Sequence, residues 1–411
     1  MHVQALSNIE IKEIKDGTIL SPKGFQADGI EAGIKKGNKD LGLIVSEVPA
    51  TAAAVYTTNQ FQAAPLKVTQ ESISHDGLIQ AVIVNSGCAN ACTGEQGLKD
   101  AYETRKLVAQ KLNVKEQLVA VASTGVIGVN LQMEKLKSGI EKLNPGLSKD
   151  HAVAFQTAIL TTDTIMKTCC FSAEIDGKTI TMGGTAKGSG MIHPNMATML
   201  AYITTDAKIS QQALQQALRE VTEKSFNQIT VDGDTSTNDT VLVLANGKAE
   251  NETLTPEHPE WQVFKQLLTL TSEGLAKQIA KDGEGATKLI EVEVKGALNE
   301  LDARMIAKQV VGSSLVKTAV YGADANWGRI IGAVGQTNAR INPENVDVSI
   351  GDIDMLKASV PVSFSEDEAL NYLKQDFIQI FVDLHCGEAV GKAWGCDLSY
   401  DYVKINASYR T

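Results

Sequence analysis

Strand-like and helix-like patterns alternate along the whole chain, and this alternation limits the fold more than any other feature of the sequence. The apolar run 81–84 stops at Asn85-Ser86-Gly87, which reads as a strand followed by a turn. Residues 98–112 repeat apolar side chains at helical spacing: Leu98, Ala101, Tyr102, Val108, Ala109 and Leu112. The run 118–122 returns to strand and stops at Ser123-Thr124-Gly125. A further helix opens after Ser210, whose hydroxyl suits an N-cap, and carries Leu214, Leu218 and Val221 on one face. Runs 241–245 and 377–384 read as strands, the first of them buried. Ile290, Val292 and Val294 alternate with Glu291, Glu293 and Lys295, the pattern of a half-exposed strand. Mixed elements of this kind bury their apolar faces by layering, so an α/β or α+β layered fold is expected, with sheets flanked by helices. No fixed-period repeat and no long Pro-, Gly- or Ser-rich linker divides the chain.

With 411 residues, 43% hydrophobic and 21% charged, the chain can bury a large core without disulfide or metal staples. Its net charge of -11 argues against a general nucleic-acid binder, which needs Lys and Arg to neutralise phosphates. Met1-His2-Val3-Gln4 does not open a basic segment followed by an apolar run, so no signal peptide is expected. No apolar stretch is long enough to span a bilayer. Six cysteines in so long a chain are too sparse for a disulfide framework. The expectation is a reduced, cytoplasmic protein with no membrane and no nucleic-acid partner.

Chemistry concentrates in residues 182–207, MGGTAKGSGMIHPNMATMLAYITTDA. Four glycines, Gly183, Gly184, Gly188 and Gly190, allow unusual backbone and close approach of other groups. His193-Pro194-Asn195 signals a turn, and a strand-like run follows at 199–204. A Thr at the start of such a run can attack the preceding carbonyl, here that of Ala197. The resulting ester, once opened by water, leaves Thr198 as a new N-terminus. Its hydroxyl then lies beside a free α-amine that titrates near ~8 and can take the hydroxyl proton. Taken alone, the same residues also describe a glycine-rich turn feeding a buried strand, with Thr198 no more than β-prone.

The run Lys187-Gly188-Ser189-Gly190-Met191-Ile192-His193-Pro194-Asn195-Met196-Ala197-Thr198-Met199-Leu200 resembles the cleavage-site motif of the ornithine acetyltransferases, also called bifunctional glutamate N-acetyltransferases. Other stretches resemble that family in the same order: TAAAVYTTN at 51–59, NSGCANA at 85–91, STGVIG at 123–128, TTDT at 161–164, VDGDTSTND at 231–239, ADANWGR at 323–329 and NASYRT at 406–411. The sequence departs from the family at Ile165-Met166-Lys167, where members often have Pro before the Lys.

The resemblance implies a self-cleaved, two-chain enzyme resembling the N-terminal-nucleophile class, cut between Ala197 and Thr198 into an N-terminal chain 1–197 and a C-terminal chain 198–411. It implies transfer of acetyl from N-acetylornithine to glutamate through an acetyl-Thr198 ester, releasing ornithine and N-acetylglutamate. Thr124 and Gly125 are implied as the oxyanion hole. Thr161, Lys187, Thr198, Glu284, Asn406 and Thr411 are implied as substrate contacts, Lys187 toward a carboxylate and Glu284 toward the ornithine ammonium. A heterotetramer of two N-terminal (alpha) and two C-terminal (beta) chains is implied. No cofactor and no metal are expected, with acetyl-CoA open as a further acetyl donor.

Three weaker patterns point elsewhere and are set aside. The 232–243 stretch lacks the sixth-position Gly and final Glu of a calcium loop and reads as a structural or site-bordering turn. The 387–393 stretch is one residue short of a phosphate loop. Cys88 with Cys92, and Cys386 with Cys396, do not have convincing zinc-site spacing. Two other function classes stay open on sequence: a self-processed aminopeptidase or amidase, and a non-catalytic small-molecule binding protein.

Overall fold

Ala52, Ala53 and Ala54 are buried within the longest described strand, Leu41–Tyr56, where small side chains let covering elements approach on both faces. A computed structural model describes residues 10–193 and 199–408. Leu41–Tyr56 joins a nine-stranded sheet. The strands run in the order Lys12–Glu13, Lys167–Ile175, Lys178–Lys187, Leu200–Thr205, Thr240–Ala245, Leu41–Tyr56, Leu78–Cys88, Val119–Val126, and Phe25–Ile30 also pairs with Leu41–Tyr56. A second, seven-stranded sheet runs Val360–Pro361, Ile353–Lys357, Asp347–Ile350, Phe377–Asp383, Leu289–Ala297, Ala389–Cys396, Ile229–Thr230. Helices cover both sheets, as the alternation of patterns implies.

The helix Trp261–Lys281 ties the two sheets together. It packs on Lys167–Ile175 and Lys178–Lys187 of the first sheet and on Ala389–Cys396 of the second. Phe264, Leu267, Leu268, Leu275 and Ile279 recur at helical spacing on its buried face. They share one core with Met182, Ile203 and Val243 of the first sheet and Trp394 of the second. Each such side chain contributes roughly 1.5–3 kcal/mol through burial. The helix Gln211–Lys224 covers Leu41–Tyr56 and begins as expected: Ser210 Oγ accepts from Ala213 N at 3.3 Å.

Two expectations need correction. The strands ending at the two turn signals in fact run through them, as Leu78–Cys88 and Val119–Val126, with Asn85 beside Ser123 and Ser86 beside Thr124. Their polar side chains find buried partners, so nothing forces a turn: Ser123 Oγ donates to Asn85 Oδ1 at 2.6 Å, and Ser86 Oγ to Ala158 O at 2.6 Å. Glu291 is buried, because Trp394 Nε1 donates to its carboxylate at 2.6 Å and Lys277 and Lys392 lie within 3.5 Å. The 387–393 stretch, set aside as a phosphate loop, is mostly the strand Ala389–Cys396.

Candidate active site

Strand ends and loops from distant parts of the chain line an open cleft of about 210 Å³. The end of Val119–Val126 contributes Thr124 and Gly125, and the end of Lys178–Lys187 contributes Lys187. Met199 and Leu200 enter from the start of Leu200–Thr205, and Asp239 from the foot of Thr240–Ala245. Thr161, Glu284 and Asn406 complete the walls from two loops and the helix Tyr400–Ser408. Six residues expected at the site therefore meet: Thr124, Gly125, Thr161, Lys187, Glu284 and Asn406. Ala197, Thr198 and Thr411 lie outside the described residues. Lys187 faces Leu200 across antiparallel strands, so the expected cut falls in the connection between two paired strand ends.

Thr124 and Gly125 belong to a strand rather than to the turn expected of them. Gly125 has φ +129°, a conformation that side-chain-bearing residues rarely adopt, and a β-carbon there would lie 2.4 Å from Gly87 C. Only glycine fits this close pairing of strand ends.

A buried ionic network supports the next wall. Asp163 accepts from Gly188 N at 2.6 Å, Thr161 N at 2.9 Å and Lys167 Nζ at 2.7 Å. Lys167 Nζ also reaches Asp282 Oδ2 at 2.5 Å, and Thr164 Oγ1 donates to Asp282 Oδ1. Burial works against the Asp163 charge, but Lys187, Lys167 and the hydrogen bonds outweigh it and hold the carboxyl at about 2. Lys187 is itself buried, which pulls its ammonium pKa down; Asp163, Asp239 and Glu284 oppose that pull.

Glu284 is fixed from two sides. Its backbone N donates to Ser189 O at 2.9 Å, and Asn406 Nδ2 donates to its Oε2 at 2.8 Å. Gly190 lies so close that a β-carbon there would sit 2.4 Å from the Glu284 carboxyl carbon. Asp232 anchors the segment leading to the expected cut, accepting from Met191 N at 2.6 Å and Ile192 N at 2.9 Å. His193 Nδ1 lies 2.9 Å from Thr230 Oγ1. Burial, with Lys308 nearby, lowers its pKa to about 4, so the ring is neutral at neutral pH. The wall as a whole carries Asp232, Asp234 and Glu284 against Lys187, a balance suited to a substrate bearing an ammonium group.

Sequence reasoning assigned no role to Asp163 or Asp239. Asp239 is buried, and its Oδ2 has no hydrogen-bond partner among the described residues. Burial pushes its carboxyl well above the usual range, and Lys187 only partly offsets this. The signal for it was its position as the last residue of the 231–239 motif, at the foot of an apolar strand. Away from the cleft, Asp176, His258 and Glu260 come together, but they already bond one another: His258 Nε2 lies 3.2 Å from Asp176 Oδ1, and Asp176 N donates to Glu260 Oε2 at 2.7 Å.

The ArgJ family model matches residues 26–411. The chain is 64% identical over 402 residues to an arginine biosynthesis bifunctional protein ArgJ from Geobacillus kaustophilus (strain HTA426), covering 98% of each chain. It is 61% identical over 397 residues to the protein of the same name from Bacillus subtilis (strain 168), covering 96% of this chain and 97% of that one. A crystal structure of arginine biosynthesis bifunctional protein ArgJ from Bacillus halodurans is 55% identical, with a TM-score of 0.46 over 46% of this chain and 100% of that chain. A family match across nearly the whole sequence, with relatives this similar over their full length, means that the chain belongs to the ArgJ family.

Proposed function

We propose that this protein is an acyltransferase of arginine biosynthesis that cuts itself between Ala197 and Thr198 and then moves an acetyl group from N-acetylornithine to glutamate. The observation that supports this most is the meeting of six expected residues, spread from position 124 to position 406, on one cleft. Thr198 attacks the acetyl carbonyl while its own freed α-amine takes the hydroxyl proton. Thr124 and Gly125 receive the oxyanion, a donor set in which each member is worth about 2.7–4 kcal/mol of barrier. Ornithine leaves, acetyl-Thr198 remains, and the glutamate amine completes the exchange. One amide replaces another, so the reaction runs in both directions.

Glu284, steadied by Asn406, suits the side-chain ammonium of ornithine, and Lys187 suits a substrate carboxylate. Thr161 and Thr411 complete the substrate contacts in this reading. The reaction uses no cofactor and no metal. The mature enzyme is a heterotetramer of two chains of each kind.

The test is a transfer assay with glutamate and either N-acetylornithine or acetyl-CoA as donor, run on wild type and Thr198→Ala. Wild type should show two bands on a denaturing gel and form N-acetylglutamate; the variant should show one band and no transfer. Release of free acetate without transfer would instead identify an amidase. Transfer by an unbroken chain would refute the mechanism.

A further inference from the structure

Three buried or half-buried carboxyl groups around the cleft, Asp163, Asp282 and Asp232, have both oxygens bonded. Asp163 and Asp282 share Lys167 and backbone donors, and Asp232 accepts two backbone amides. Asp239 breaks that pattern. It is 3% exposed, and Ser236 only partly offsets the effect of burial on its charge; its Oδ2 has no partner among the described residues and the side chain borders the cleft. Its backbone is held firmly, with Thr57 N donating to Asp239 O at 3.0 Å. Thr240 N donates to Met199 O at 2.8 Å, which sets Asp239 beside the residue that follows Thr198 in the chain. Lys187, Glu284, Asp232 and Asp234 are the other charged groups on the cleft walls.

The proposed reaction has a proton problem that a group of this kind solves. An amide nitrogen carries one hydrogen, and the free ornithine amine at neutral pH is an ammonium with three. The Thr198 hydroxyl supplies one proton through the α-amine; one more is needed. In the second half-reaction the glutamate ammonium must lose two protons before its nitrogen becomes an amide. One returns to the Thr198 oxygen as the ester C–O bond breaks and the C–N bond forms; the other needs an acceptor.

We propose that Asp239 stores this proton, giving it from its carboxyl group to the departing ornithine nitrogen and taking it back, as carboxylate, from the incoming glutamate ammonium. Protons balance over the cycle with none exchanged with solvent. Burial shifts the Asp239 carboxyl in the direction that favours a protonated starting state. The assignment rests on the acetyl-Thr198 reading above.

Two substrate pairs separate this role from a structural one. N-acetylornithine with glutamate needs the stored proton in both halves. p-Nitrophenyl acetate with hydroxylamine needs it in neither, because the phenolate leaves without a proton and hydroxylamine arrives unprotonated at neutral pH. Asp239→Asn should still cut, should lose roughly 100-fold or more in kcat on the first pair, and should keep nearly wild-type turnover on the second. Equal loss on both pairs, no loss on either, or a variant that stays whole overturns the assignment. If Asp239→Asn does not fold, Asp239→Ser is judged by the same two pairs and the same outcomes. Mass measurement of the wild-type fragment beginning Thr-Met-Leu after incubation with donor keeps the two proposals apart: with no acetyl group on it, the Thr198 reading fails rather than this one.

Discussion

Lys167 is fully buried between two carboxylates, Asp163 at 2.7 Å and Asp282 at 2.5 Å. Removing the cation takes the ion pair from both carboxylates and leaves them Lys187 and the hydrogen bonds, so Lys167→Met should lower stability by about 3 kcal/mol in urea unfolding. Acid should act on the same network. The Asp163 carboxyl is held at about 2 in the folded chain against an ordinary 3.8, so its charge stabilises the fold above about pH 4, and that contribution is lost as pH falls toward 2. His193 acts in the same direction at higher pH. Its ring titrates at about 4 when folded and 6.5 otherwise, so stability declines as pH drops from 6.5 through 4. Unfolding followed across pH should show both losses, with Asp163→Asn removing the lower one and His193→Gln the upper. At this scale the family resemblance gave roles to Thr124, Gly125, Thr161, Lys187, Glu284 and Asn406, but none to Asp163 or Asp239, although both lie within its motifs. Which carboxyl is dry, and which oxygen is bonded, depends on what packs around it.

Helix beginnings were legible because their physics is local. A Ser placed before a periodic apolar run caps Gln211–Lys224, and Ser210→Ala should cost about 1 kcal/mol by thermal or urea unfolding. Strand ends were less legible. Asn85-Ser86-Gly87 and Ser123-Thr124-Gly125 have turn composition, yet both continue strands, because each segment is the other's pairing partner across some forty residues. That pairing presents Thr124 and Gly125 at the cleft. Gly125→Ala adds a β-carbon 2.4 Å from Gly87 C at φ +129° and should destabilise by roughly 1–3 kcal/mol while lowering kcat in the transfer assay. Loss of stability with full transfer activity would argue against the oxyanion role.

Across the whole molecule, the expected chains 1–197 and 198–411 are not separate bodies. The first sheet takes Lys178–Lys187 from one side of the cut and Leu200–Thr205 and Thr240–Ala245 from the other, as directly paired neighbours. One core joins Met182 and Ile192 to Leu214, Phe264 and Trp394. Cut protein should therefore migrate as two bands under denaturing conditions but elute as one species in size-exclusion chromatography. Fragments separating without denaturant would contradict the shared core. No helix among the described residues is long and apolar enough to cross a membrane.

Layered helices and sheets, the buried strand at Thr240–Ala245 and the capped helix after Ser210 were determined by the sequence alone, because hydrophobic period and caps act over a few neighbouring residues. The tertiary structure decided where strands end, which charges are buried, and that residues 124, 187, 239, 284 and 406 share one cleft. Those outcomes depend on contacts between segments far apart in the chain, and on desolvation that exists only once they have packed.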